Sequence, residues 1–341
     1  MRVFDRLERI YRRSGANLPS GDARLSHGAE MEGYFWRVTD VARQRVLVVL
    51  CGVNRHPDGD WATVAVAAHP GAFVRSTVLD GARAATDRFL VAAGDNAFFA
   101  DEHHVHVDLG DVALDLELSQ QVAWPLKLGA GGIFSAIPFL GQYWQPHVLG
   151  GSVTGTAHVD GDDWVIHDAQ VYAEKNWGPG FPQRWWWGQA QGFERPDVCV
   201  AFAGGLLTAG PLSATVGGVI ARVGADVIRL APPLSIVRST TDGHRWEVHG
   251  RGHGYRINIV GEAVDQPHPL PVPIPAQRRN VATDDEHLAA RLTLEITGRL
   301  NFHGTSHWAA LEIGHRPTQA DLNAPELAAL PNGPDRAHPR Q

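Results

Sequence analysis

Arg184-Trp185-Trp186-Trp187-Gly188-Gln189-Ala190 runs through a polar turn into Val198-Cys199-Val200-Ala201-Phe202-Ala203-Gly204. Both arms are rich in aromatic and β-branched residues, and Pro196-Asp197 between them carries turn chemistry, so the stretch reads as two strands of a sheet. The pattern has an earlier counterpart: Tyr34-Phe35-Trp36, a turn, then Val46-Leu47-Val48-Val49-Leu50-Cys51-Gly52. The two blocks lie about 150 residues apart, the spacing of two tandem halves of ordinary domain size.

The segments on either side fit the same scheme. Runs of Val, Ile, Trp and Phe recur from residue 33 to residue 313, with Asp-Gly turn signals at Asp58-Gly59, Asp80-Gly81, Asp160-Gly161 and Asp242-Gly243. Long helical patterns are scarce. The expected fold is all-β, with sheets closed or nearly closed into two barrel halves and a short N-terminal helix. The expected division is residues 1–20 for an amphipathic helix, 21–150 for the first half, 151–316 for the second and 317–341 for a mobile tail. Gln266 to Arg279, with proline at 267, 269, 271, 273 and 275, is expected to be a loop.

The chain has 341 residues, 44% of them hydrophobic and 20% charged, enough for a packed core. A net charge of −7 without a long Lys/Arg run argues against nucleic acid as a partner. Cys51 and Cys199 sit in apolar runs and read as buried thiols in a reducing, cytoplasmic compartment. No stretch is long and apolar enough to span a bilayer, and charges interrupt any signal-like segment at the start. There Val3, Phe4, Leu7, Ile10 and Tyr11 share one helical side, with Arg2, Arg6, Arg9, Arg12 and Arg13 around the rest. Such a helix packs against the protein body or lies on a membrane surface.

The densest chemical signal is Tyr172-Ala173-Glu174-Lys175-Asn176-Trp177-Gly178, followed by a Gly/Pro turn and the three tryptophans. On a strand, Trp185 and Trp187 face one way and Trp186 the other. A carboxyl buried at Glu174 has its pKa raised and is able to act as an acid, and indole faces stabilise a cation. The competing reading is a structural corner in which Glu174 pairs with an arginine or with Lys175. Asp168 is a second candidate acid, on the face shared by Trp164, Ile166, Gln170 and Tyr172. His104, His106 and Asp108 alternate along one strand and form a candidate two-His, one-carboxylate metal set, although the same alternation marks a half-exposed strand. Gly129-Ala130-Gly131-Gly132 lacks the Lys-Ser/Thr of a phosphate loop and reads as an ordinary loop. No complete metal or nucleotide fingerprint is present, so no cofactor is expected.

Glu174-Lys175-Asn176-Trp177-Gly178, Phe181-Pro182, Arg184 to Trp187 and Gln189 together resemble the most distinctive motif of the tocopherol cyclase family. Three more stretches are similar to that family in the same order. They are His27 with Glu32 to Val38, Pro138-Phe139-Leu140 with Tyr143 to His147, and Trp308-Ala309-Ala310-Leu311-Glu312. The resemblance implies two lipocalin-like barrels and a cofactor-free cyclisation of a prenylated hydroquinone to a chromanol. The partner it implies is a hydrophobic prenylated aromatic small molecule. Without a plastid-type targeting stretch, it also implies a bacterial member. On this reading Glu174 is the expected proton donor, with Asp168 or His27 as alternatives, and Lys175 and Asn176 are the expected orienting groups. Trp177, Trp185, Trp187, Trp144, His147, Tyr34 and Trp36 are expected around the substrate. Two other functions share these parts: a non-catalytic isoprenoid carrier, and a hydratase in which water captures the cation.

Overall fold

The structure, a computed structural model, describes residues 3–19, 21–209 and 212–323. Almost every element is a strand, and the strands build two curled antiparallel sheets of lipocalin-like form. The first runs from the Met31–Asp40 strand to the Asp162–Gly178 strand, the second from Arg184–Ala190 to Phe302–His315.

The halves share one connectivity. In each, the opening strand pairs on one side with its successor and on the other with the last strand of the same half. Met31–Asp40 lies between Arg45–Asn54 and Asp162–Gly178; Arg184–Ala190 lies between Val198–Ala209 and Phe302–His315. The aromatic blocks first noticed in the sequence therefore occupy matching places. The sequence assigned residues 152–178 to the second half, but their hydrogen bonds lie in the first sheet. The changeover falls at the turn of residues 179–183.

Each half has its own apolar core. Tyr34, Trp36 and Val38 join Val49, Val64 and Phe98 in the first, and Phe202, Trp246, Ile257 and Leu294 help form the second. A third cluster, including Tyr172, Trp187, Ala201 and Ile220, packs between them. Buried Arg37 crosses this interface: its Nη2 donates to the carbonyls of Leu288 and Trp308, both at 2.7 Å, and its Nη1 to Gln189 at 3.2 Å.

The proline-rich segment departs from expectation. His268–Ile274 is a strand paired with Arg279–Gly298. It takes no second partner in the sheet, and an edge strand tolerates prolines because nothing asks for their missing N–H groups on the outer side. Its Leu270 packs with Val46, Val48 and Leu288, fastening the second half to the first. The Val3–Arg13 helix is present, with Leu7 and Ile10 each 57% exposed. Of the expected tail, a short helix covers Gln319–Asn323, and residues 324–341 lie outside the described residues.

Candidate active site

Strand alternation divides the Asp162–Gly178 strand into two chemistries. Cross-strand partners are Tyr34 for Lys175, Phe35 for Glu174 and Gly33 for Asn176. Glu32, Tyr34, Trp36 and Lys175 therefore point into the first half, while Gly33, Phe35, Glu174 and Asn176 point toward the second.

On the side facing the second half lies a cavity of about 250 Å³, with Glu174, Asn176, Trp144, Trp185, Trp186 and Trp187 in its wall. A smaller pocket of about 80 Å³ adjoins it and shares Glu174, Asn176, Trp187 and Glu312. All three donors to Glu174 converge on one oxygen. Oε2 accepts from Tyr172 Oη at 2.5 Å, Trp144 Nε1 at 2.8 Å and Trp187 Nε1 at 3.0 Å. These donors are neutral, and no cation pairs with the carboxyl among the described residues. Burial pushes the Glu174 pKa up to about 7, against the pull of the three hydrogen bonds. The arrangement is that of an acid kept protonated near neutral pH, with Oε2 saturated as acceptor and Oε1 left to carry the proton.

Asn176 lines both spaces, and its Oδ1 is buried with no hydrogen-bond partner among the described residues. The missing side chain of Gly33 makes room for it: a Cβ there would sit 2.5 Å from Asn176 Oδ1. Gly314 does the same for Trp185, whose ring would lie 2.1 Å from an added Cβ.

Lys175 is a structural ion pair. Its buried Nζ donates to Glu32 Oε2 and the Leu25 carbonyl, each at 2.8 Å, and to His27 Nδ1 at 3.1 Å. Glu32 also accepts from Ser26 Oγ and from the His27 and Gly28 amides. Burial raises its pKa, but the Lys175 ammonium and these donors prevail and hold it at about 2. Burial, then the Lys175 charge, drives the His27 pKa well below 6.5, so the ring is neutral, stacked 4.3 Å from Trp177. Trp177 in turn donates to the Gly15 carbonyl at 2.6 Å and stacks on Tyr143. His27, Lys175 and Trp177 thus brace the corner behind the cavity.

Four other candidates also lie elsewhere. Tyr34 and Trp36 belong to the first core by strand parity; Tyr34 also reaches the smaller pocket. His147 is buried against Phe89 in a separate space of about 430 Å³, its pKa lowered to about 3 by burial and then by Arg24. Asp168 is exposed, accepting from Ser152 Oγ at 2.6 Å. A β-bulge explains the misreading. Val153 pairs with Ala169 but Gly155 with Ile166, so His167 and Asp168 oppose Thr154 alone, and Asp168 takes a φ of 56°. Trp164 and Ile166 therefore share their face with Ala169 and Val171, not with Tyr172 and Glu174. On the His104–Asp108 strand, Val105 and Val107 point inward while His104 and Asp108 are exposed.

Sequence reasoning missed Tyr172 as a ligand of Glu174, although it stands two residues away on the same face. It also missed the acid cluster of Asp284, Glu286 and Glu312. Glu312 was visible in the closing motif, but its approach to the cavity depends on pairings across the sheet, such as Trp187 with Glu312.

Fold and site together define a two-sheet, lipocalin-like protein with an acid-bearing aromatic cavity between its halves. The chain belongs to the tocopherol cyclase-like family, whose model matches residues 110–315. It is 40% identical over 77 residues to the probable chloroplastic tocopherol cyclase of Oryza sativa subsp. japonica, and 38% identical over 82 residues to the chloroplastic tocopherol cyclase of Zea mays. Those matches cover 22% and 24% of this chain but only 16% and 17% of the plant proteins. The fold is similar to that of kievitone hydratase from Nectria haematococca, at 13% identity and a TM-score of 0.50, over 84% of this chain and 89% of that one. It is also similar to CghA crystallised with Sch210972, at 11% identity and a TM-score of 0.57, over 84% and 88% of the two chains.

Proposed function

We propose that this protein cyclises a prenylated hydroquinone or phenol to a chromanol by acid catalysis, without a cofactor. The observation that carries the reading is Glu174: a buried carboxyl with its pKa near 7, walled by tryptophans, facing an apolar cavity. Glu174 gives its proton to the trisubstituted alkene. The tertiary cation is shielded by the indole faces of Trp144, Trp185 and Trp187, and the phenol oxygen closes on it. Asn176, with its unsatisfied Oδ1, orients a substrate hydroxyl. Exclusion of bulk water protects the cation from capture.

The test is turnover of a prenyl hydroquinone by Glu174→Gln, which keeps the shape of the side chain and removes its proton. Turnover should fall about 10²-fold or more, the size of a general-acid contribution. Binding should survive, since apolar burial supplies most of its energy. Unchanged turnover in a folded variant overturns the assignment. A hydrated, ring-open alcohol as the product makes the protein a hydratase, and wild-type binding without turnover makes it a carrier.

We further propose that the substrate arrives from an anionic bilayer. The helix bearing exposed Leu7 and Ile10 is tied at its end to the segment bearing exposed Ile133, Ile137 and Phe139, through the Phe139 amide on the Ser14 carbonyl at 3.0 Å and Tyr11 Oη on the Ala136 carbonyl. Arg6 and Arg13 on the same helix are exposed, and Phe134 and Leu140 of that segment line the cavity. Cosedimentation with phosphatidylserine vesicles should drop severalfold in Leu7→Asp/Ile10→Asp. Equal binding by the double variant, or none by the wild type, removes this reading.

A further inference from the structure

The cavity carries a second acidic device that the proton donor does not use. Glu312 lines the main cavity and the smaller pocket, and Asp284 lines the smaller one. Trp185 Nε1 donates to Glu312 Oε1, and the Asp284 and Glu312 carboxyls stand together in the wall of the smaller pocket. Two buried carboxyls in one pocket wall, with no cation paired to either among the described residues, do not both ionise readily, so the pair holds a proton. With that proton on Asp284, the negative charge rests on Glu312, the member that reaches the main cavity.

Resting on the cyclase reading, we propose that Glu312, charged and backed by protonated Asp284, binds the phenolic hydroxyl of the substrate and takes its proton as the ring closes.

The balance is complete without a co-reactant. The Glu174 O–H bond breaks as a C–H bond forms on the alkene. The phenol oxygen bonds to the tertiary carbon, and its O–H bond breaks toward Glu312. Glu174 is then ionised and the pair doubly protonated; one proton passes back and restores the start. The product is an isomer of the substrate.

The charges facing Glu312 agree with this assignment. Asp284 and Glu286 come from the Arg279–Gly298 strand, with Glu286 the cross-strand partner of Glu312; Glu174 shares the cavity wall, and Arg37 faces Glu286. Burial, with the neighbouring acids adding to it, raises the Asp284 pKa well above the ordinary carboxyl value, keeping it the proton holder. Burial raises Glu312 to about 7, against the Trp185 hydrogen bond, the same value as Glu174, so near neutral pH the state with Glu174 protonated and Glu312 charged is populated.

The experiment titrates tryptophan fluorescence with 2-geranylhydroquinone and with its methyl ether at the hydroxyl next to the geranyl chain. The wild type should prefer the free phenol about tenfold, equivalent to about 1.4 kcal/mol. Glu312→Gln should reduce that preference to less than twofold. Glu174→Gln should keep it while losing turnover. A folded Glu312→Gln protein that retains the tenfold preference overturns the proposal, as does a wild type that has none. A second measurement needs no variant: the wild-type preference should shrink at pH 5, where the pair is doubly protonated, and constancy from pH 5 to 8 overturns the proposal. A wild type that shows the preference without turnover supports the phenol contact and refutes the cyclase reading, so the two ideas fail separately.

Discussion

Glu174 and Lys175 are neighbours in sequence and opposites in physics. Both are buried. Lys175 meets a carboxylate, so Glu32 stays ionised down to a pKa of about 2. Glu174 meets only neutral donors, so desolvation prevails and its pKa climbs to about 7. Burial alone distinguishes neither fate; the presence of a cation within reach does. The first arrangement holds a corner together, and the second stores a transferable proton.

The largest effect that sharpens this contrast is on stability. Lys175→Met leaves Glu32 buried without its ammonium and should cost about 3–5 kcal/mol in denaturant unfolding. Adding Glu32→Gln should recover much of that loss. A single variant as stable as the wild type would move Lys175 out of the structural role.

The next effect is in the pH dependence of stability, where the two acids have opposite signs. The Glu32 pKa is depressed on folding, so its contribution is present above 4.5 and is lost as pH falls toward 2. The Glu174 pKa is raised on folding, so its contribution is full below 4.5 and is lost as pH climbs through 7. Between pH 5 and 7, Glu174 alone should lower stability by up to about 1.4 kcal/mol per pH unit. Glu174→Gln should remove that part of the slope in unfolding curves taken across the range. An unchanged slope would mean that Glu174 is ionised throughout.

The smallest effect concerns one donor. Trp144→Phe keeps an aromatic wall but removes the 2.8 Å bond to Oε2, which favours the ionised form. The alkaline limit of turnover should move upward by about half a unit to one unit, matching one neutral hydrogen bond. A downward shift in the pH profile would contradict the assigned acid.

Much of this was legible in the sequence. The paired aromatic blocks predicted two halves, and Glu174, Asn176, Trp144, Trp185 and Trp187 come together at one cavity. What failed depended on parity and pairing. Asp168 was assigned to the wrong face because alternation was carried unbroken through a bulge. Tyr34 and Trp36 share a strand with Phe35, and only the register with Asp162–Gly178 shows which of them turns away from the acid. The prolines of residues 267–275 suggested a loop because a sequence does not say which side of a strand lies unpaired. Asp284 and Glu312 stand 28 positions apart, and sheet geometry alone brings them to one pocket wall.

The bulge also limits how this gene can change length. His167 and Asp168 together oppose Thr154, so the strand carries one residue more than its partner. Deleting Asp168 would restore plain alternation and leave every neighbour on its present face. Deleting any residue from Gln170 to Ala173 would exchange the faces beyond it, turning the Lys175 ammonium toward the tryptophans and Glu174 toward Glu32. In-frame losses of single codons should therefore be tolerated at position 168 and selected against over the next few codons.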